Sequence, residues 1–397
     1  MNRSKQMQRG AVSLFIVIFA ALLIITIVTA FVRIMVQDQQ QATASDLAKS
    51  AMDSAQAGVE DSKRALVEYY KKNCPEQLVD SRCVELRTAL LDNVDANGWT
   101  SFCDTTRRAG VATVVDGEVK VETDAKDAAL DQAYTCVKVQ MNPENYIGTS
   151  TSQLVQLKAK DNAPFDKVKI EWYEQQDDEP LELDDGTAQN YELLDVWPPK
   201  RPQVLRLQLL QYGADFALDD FDGNYQNNSS LFLLPTSIPG LTTGAFASDL
   251  RKSKGSQSTQ KVGCTPQPAV GDYGCEITID LPQIGTPAGN TPRNAYLKVD
   301  QLYASGNKKF SITLLSTQPD GSAVSVRFSD VQVAVDSTGR ANEMFKRIQS
   351  RVDIGGGVPT PDAAVDVTRS FCKEFLVTTD TAIAGNNSEE CPRLPGS

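Results

Sequence analysis

From Ala11 to Val32 the chain runs for 22 residues without a charge, a proline or an internal glycine. At about 1.5 Å per residue this stretch spans roughly 33 Å, the hydrocarbon thickness of a bilayer. A water-free environment forces each backbone amide to find its partner within the segment, so the stretch must be a helix while it sits in lipid. Arg3, Lys5 and Arg9 precede it with no acidic residue, and Arg33 and the polar run Gln37-Asp38-Gln39-Gln40-Gln41 follow. The basic flank stays in the cytoplasm, which predicts a single pass of the cytoplasmic membrane with the amino terminus in and the carboxy-terminal part outside. A cleaved secretory signal is the alternative, with Ala42-Thr43-Ala44 as its site, although that tripeptide lies ten residues beyond the apolar run.

The helix is expected to continue past the polar run. Small residues recur at Ala44, Ala48, Ala51, Ala55, Gly58, Ser62 and Ala65, alternately four and three apart, with Met52, Val59 and Leu66 beside them and no proline before Pro75. This is a seam of average period 3.5 on one helix of about 60 residues. A coiled-coil stalk shares the period but prefers large apolar residues at both seam positions. Small residues suit close packing on a sheet or a neighbouring helix.

Gln8-Arg9-Gly10 before the apolar helix, and Ala55-Gln56-Ala57-Gly58-Val59-Glu60 on its distal half, resemble the amino terminus of type IV pilin-like proteins, particularly the PilX-type minor pilins and pseudopilins. The resemblance covers about 60 residues. It implies a basic leader over 1–10, cut between Gly10 and Ala11 by a prepilin peptidase, and methylation of the new amino terminus. The apolar helix, with Phe15, Ile18, Leu22 and Ile25 on it, would be both membrane anchor and filament core. The implied partners are other pilins and the pilus assembly platform, with an extracellular filament as the final location. Most pilins carry glutamate at the fifth mature position, where this chain has Phe15. Some subunits at a filament tip also lack it, so the departure points away from a major subunit.

Net charge is −12 over 397 residues; beyond residue 36 there remain 35 basic against 51 acidic side chains, a net −16. Phosphate repulsion makes such a surface a poor partner for nucleic acid through bulk charge. The densest acidic stretch, Glu174 to Asp185, reads as a solvated loop. Eight cysteines, Cys74, Cys83, Cys103, Cys136, Cys264, Cys275, Cys372 and Cys391, all lie beyond the membrane segment, where an even count reads as disulfides. Connectivity does not follow from spacing, but the clustering favours neighbours: Cys74 with Cys83, Cys103 with Cys136, Cys264 with Cys275 and Cys372 with Cys391.

The whole is expected to be α+β: a long amino-terminal helix over 11–72 packed on an antiparallel sheet, a cysteine-containing α/β insertion over 73–150, a β-rich domain over 151–354, and a linker with a disulfide-closed loop over 355–397. Residues 83–91 read as a short amphipathic helix, ended by Asn97-Gly98, and 133–141 alternate as a strand. Further strands are predicted at 153–160, 168–173, 204–212, 275–281, 295–303, 310–315, 324–328 and 331–335, where apolar residues recur at every second position. Trp197-Pro198-Pro199 with Pro202 marks a rigid connector, and 252–263, rich in Ser, Gly, Gln and Lys, a surface loop. Asp336 to Asn342 reads as a turn into a basic strand or short helix holding Lys346, Arg347 and Arg351, which either touch a partner or balance an acidic domain. The carboxy-terminal disulfide loop resembles the exposed edge with which many pilins interact, and it is the expected surface for a host cell or other ligand.

The chain contains no histidine, which removes Ser-His-Asp and Cys-His engines and histidine–zinc sites. No spacing matches a nucleophile elbow, a zincin helix, a P-loop or a dinucleotide fold. No enzyme and no cofactor are expected. Asp220, Asp222 and Asn224 place oxygens at alternate positions and form a weak calcium candidate; Tyr225 and Leu231 stand where an EF-hand needs glycine and glutamate, and a plain Asp-Gly turn explains them as well. The reading is thus a minor pilin-like subunit, with a permanently anchored receptor or adhesin domain as the alternative and a secreted two-carboxylate hydrolase as a third.

Overall fold

A computed structural model describes residues 8–76, 79–92, 94–100, 117–121, 131–185, 197–212, 228–246, 258–283, 293–304 and 308–354. The fold is α+β and divides into two compact units built from separate stretches of chain: Met1–Val94, Thr100–Val139 and Val335–Ser350 form the first, Asp95–Trp99, Gln140–Ala334 and Arg351–Ser397 the second.

In the first unit, helix α1 runs unbroken over Gln8–Lys71, 64 residues or about 96 Å. Its side chains are exposed from Leu14 to Asp46 and become buried along the seam from Ala51, where Ala51, Ser54, Ala55, Gly58, Val59, Ser62, Ala65, Leu66 and Tyr69 turn inward. Ala44 and Met52 stay outside. The buried hydroxyls of Ser54 and Ser62 cost little, because each bonds back to its own helix, to Ser50 O and Gly58 O at 2.9 Å.

What the seam meets is a sheet of four strands in the order β1 (Val119–Lys120), β2 (Gln132–Gln140), β14 (Gln332–Ala341) and β15 (Met344–Asp353). A β-carbon placed on Gly339 of β14 would lie 2.1 Å from Ala51 O and 2.2 Å from Ala55 N, so strand and helix touch backbone to backbone. Beside it, Gly58 faces Ser337 and the Tyr134 ring, and Tyr134 Oη donates to Asp61 Oδ2 at 2.6 Å. The expected turn at 336–342 is therefore the second half of β14. The turn itself is the two residues Asn342 and Glu343, with Asn342 in the left-handed region at φ 49°. Residues 344–353 take the strand alternative.

Helix α2 (Ser81–Leu91) starts on Asp80, whose carboxylate accepts from Arg82 N and Cys83 N. It ends at Leu91, before Asn97-Gly98. It buries Leu86 and Leu90, and is tied to the end of α1 by the Cys74–Cys83 disulfide and by Arg82, whose Nε and Nη2 reach Glu68 Oε1 and Oε2 at 2.9 and 2.8 Å.

The second unit is a sandwich. One sheet has the order β13 (Ala323–Val326), β12 (Phe310–Thr317), β5 (Lys167–Glu174), β10 (Tyr273–Asp280) and β8 (Thr243–Ala245), with β3 (Asn145–Gly148) also on β12. The other has β4 (Ser152–Leu157), β11 (Asn294–Leu302), β6 (Val204–Tyr212), β7 (Asn228–Thr236) and β9 (Ser258–Gly263). Alternate residues of both sheets share one core, among them Ile170, Trp172, Ile277 and Phe310 from the first and Leu207, Leu233 and Leu297 from the second. The sheets are mixed rather than purely antiparallel, since β8 runs parallel to β10 and β9 parallel to β7. The Cys264–Cys275 disulfide joins the residue after β9 to β10, linking one sheet to the other.

Strand β9 corrects the expected loop at 252–263 over its last six residues, and β7 is an element that the sequence pattern missed.

Candidate functional surface

Among the described residues, the proximal half of α1 is a long stretch without a structural partner. Leu14, Phe15, Ile16, Val17, Ile18 and Phe19 follow one another around the helix, 100° apart, and all are exposed: Phe15 by 75% and Ile18 by 49%. Leu22 and Ile25 continue the surface at 57% and 60%. A helix apolar on every side belongs in lipid or among other helices, since water would meet far more apolar area than a soluble monomer presents. The segment is long and apolar enough to cross a membrane. Its two mid-segment polar groups fit that setting. Thr26 Oγ1 donates to Leu23 O at 2.8 Å and Thr29 Oγ1 to Ile25 O at 2.7 Å, so neither hydroxyl needs water. Sequence reasoning passed over these threonines, though a threonine in an apolar helix carries the signal.

Gly10 and Ala11 lie within the described course of α1. The helix passes through them without a break, so the expected cleavage site is helical backbone. Between the apolar half and the seam, residues 37–46 are helical and exposed, a polar stalk of about 15 Å.

Of the cysteines, Cys74–Cys83 and Cys264–Cys275 are bridged. Cys103, Cys372 and Cys391 lie outside the described residues, as does the side chain of Cys136, whose backbone sits in β2. Asp220, Asp222 and Asn224 also lie outside them. Among the described residues no three Cys, Asp or Glu side chains gather around a point where an ion could sit.

The three basic residues of β15 are not one patch. Arg347 Nε donates to Asp336 Oδ1 and Oδ2 at 2.7 and 3.0 Å. Arg351 turns to Asn145, donating to its O and Oδ1 at 3.2 and 3.0 Å, and burial lowers its pKa. Lys346 is exposed and makes no ion pair among the described residues. The acidic stretch is partly neutralised: Lys200 bridges Asp177 and Glu179, and Lys309 pairs with Glu174.

Comparison with protein-family models, with curated proteins and with solved structures finds no match to this chain.

Proposed function

We propose that the protein is a minor, pilin-like structural subunit of a type IV pilus or related secretion filament, placed at or near the tip. The observation that carries this reading is the division of labour along α1: bare and apolar on all sides at Leu14–Ile27, packed against strand backbone at Ala51 and Ala55. Such a helix is a fixed handle on a folded domain. In the membrane, residues 11–32 are solvated by lipid. After the prepilin peptidase removes residues 1–10, the assembly platform draws the subunit out, and contacts with neighbouring pilin helices replace contacts with lipid. No active site is needed, because the exchange of one apolar environment for another is the mechanism.

Phe15 favours the tip. A glutamate at that position would offer a charge to the amino terminus of the next subunit, and phenylalanine offers none. The acidic, disulfide-bonded remainder then faces outward, available for adhesion to a host cell or surface or for capping assembly. Shearing filaments from cells tests the proposal. The protein is expected in the sheared fraction at far lower amount than the major subunit, and retained in the membrane when the prepilin peptidase is deleted. Retention in the membrane of cells that make normal filaments would instead favour a permanently anchored receptor or adhesin.

A further inference from the structure

At one end of the sandwich an arginine is held rigidly with three of its five N–H donors unused among the described residues. Arg293 immediately precedes β11, and its guanidinium lies over the Phe165 ring at 5.6 Å. Its Nη1 donates to Gln211 Oε1 at 2.5 Å and to the Pro282 carbonyl at 2.8 Å. Gln211 is fully buried and is itself fixed, because its Nε2 donates to that same carbonyl at 2.8 Å. The ring on one face and two bonds on one nitrogen leave the guanidinium plane a single orientation.

The edge formed by Nε and Nη2 is what remains, and neither nitrogen has a partner among the described residues. Arg293 makes no ion pair there either. Asp166, the carboxylate whose field reaches it, is already engaged: Oδ1 accepts from Thr317 N at 2.8 Å and Oδ2 from Thr317 Oγ1 at 2.6 Å. No carboxylate among the described residues bonds to this partly buried cation, and loss of hydration, only partly offset by the Asp166 charge, pushes Arg293 down to about 10. The open edge is the one whose two parallel N–H bonds match the two oxygens of a carboxylate, in the plane that Phe165 and Gln211 have already set.

We propose that Arg293, oriented by Phe165, Gln211 and Pro282, anchors a binding site for a carboxylate taken side-on by Nε and Nη2. The carboxylate could belong to a small free acid or to an aspartate or glutamate of a partner polypeptide; the chemistry is the same. The site is independent of the filament reading.

The test is thermal unfolding of the full-length protein in detergent, followed by tryptophan fluorescence, at constant ionic strength with chloride as reference. The probes are sodium acetate and N-acetyl-aspartyl methylamide. The wild type should show a saturable rise in unfolding temperature, absent in Arg293→Gln. Arg293→Lys, which keeps the charge and loses the fork, should need about tenfold more probe, the worth of one charge-assisted bond. If the Gln variant fails to fold by near-ultraviolet circular dichroism, the Lys variant decides alone. Stronger binding of the blocked aspartate than of acetate identifies a polypeptide as the source, and equal binding a free acid. No response in the wild type, or the same response in wild type and variants, would overturn the assignment.

Discussion

Gly339 holds strand β14 against α1 through the absence of one carbon. The atoms that a β-carbon would strike, Ala51 O and Ala55 N, belong to the helix backbone and cannot rotate away. Gly339→Ala should therefore part helix and strand and cost about 1–3 kcal/mol. Gly58→Ala should cost less, since its nearest obstacle is the Ser337 hydroxyl at 2.4 Å, which can turn. Ala44→Leu, on the same seam but exposed, should stay within about 0.5 kcal/mol. Amide hydrogen exchange over residues 51–65 measures all three; equal protection in Gly339→Ala and wild type would show that the contact is not tight. The small-residue seam was legible in the sequence, but its partner was not. Ser337-Thr338-Gly339 carries turn composition, and only the proximity of the helix explains a glycine inside a strand.

At the scale of elements, α2 is attached to α1 partly by charge. Hydrogen bonds from Arg82 are the first cause that lowers the pKa of Glu68 below its ordinary 4.5, with the Arg82 charge adding to them and burial opposing. A carboxylate with a lowered folded pKa stabilises fully above its unfolded value, and the contribution is lost as pH falls through the folded one. Acidification from neutral pH to about 3 should thus loosen α2, read as faster amide exchange at Leu86 and Leu90, while the Cys74–Cys83 bridge keeps it tethered. Glu68→Gln should start looser and change less over the same range. An identical acid response in both proteins would remove Glu68 from the account. Elements with one wet face were readable by period: β6 occupies the expected 204–212, and β5 and β12 differ from expectation only at their ends. Strand β7 was not, because all nine of its residues are buried and alternation disappears. Leu231 and Leu233 join the sandwich core, while Phe232 and Leu234 pack with Trp197 and Val204 on the other face. Polar β9 was missed for the opposite reason: Ser258-Thr259-Gln260-Lys261 has a loop's composition, and pairing with β7 decides its conformation.

For the whole molecule, the long helix with its membrane-length apolar half and the α+β class follow from the sequence, because an uninterrupted apolar run and a small-residue seam are both local patterns on one helix. The Arg293 fork does not, since Phe165, Gln211, Pro282 and Arg293 come together only when the two sheets close. The proposed function makes α1 a processed filament helix rather than a permanent anchor, and the exposed ring of Leu14 to Phe19 is where the two differ in fate. Intact-mass and amino-terminal peptide analysis of the protein purified from cells tests this most directly. The account predicts a mature chain that begins at N-methylated Ala11; a chain that still begins at Met1 in filament-bearing cells would contradict it.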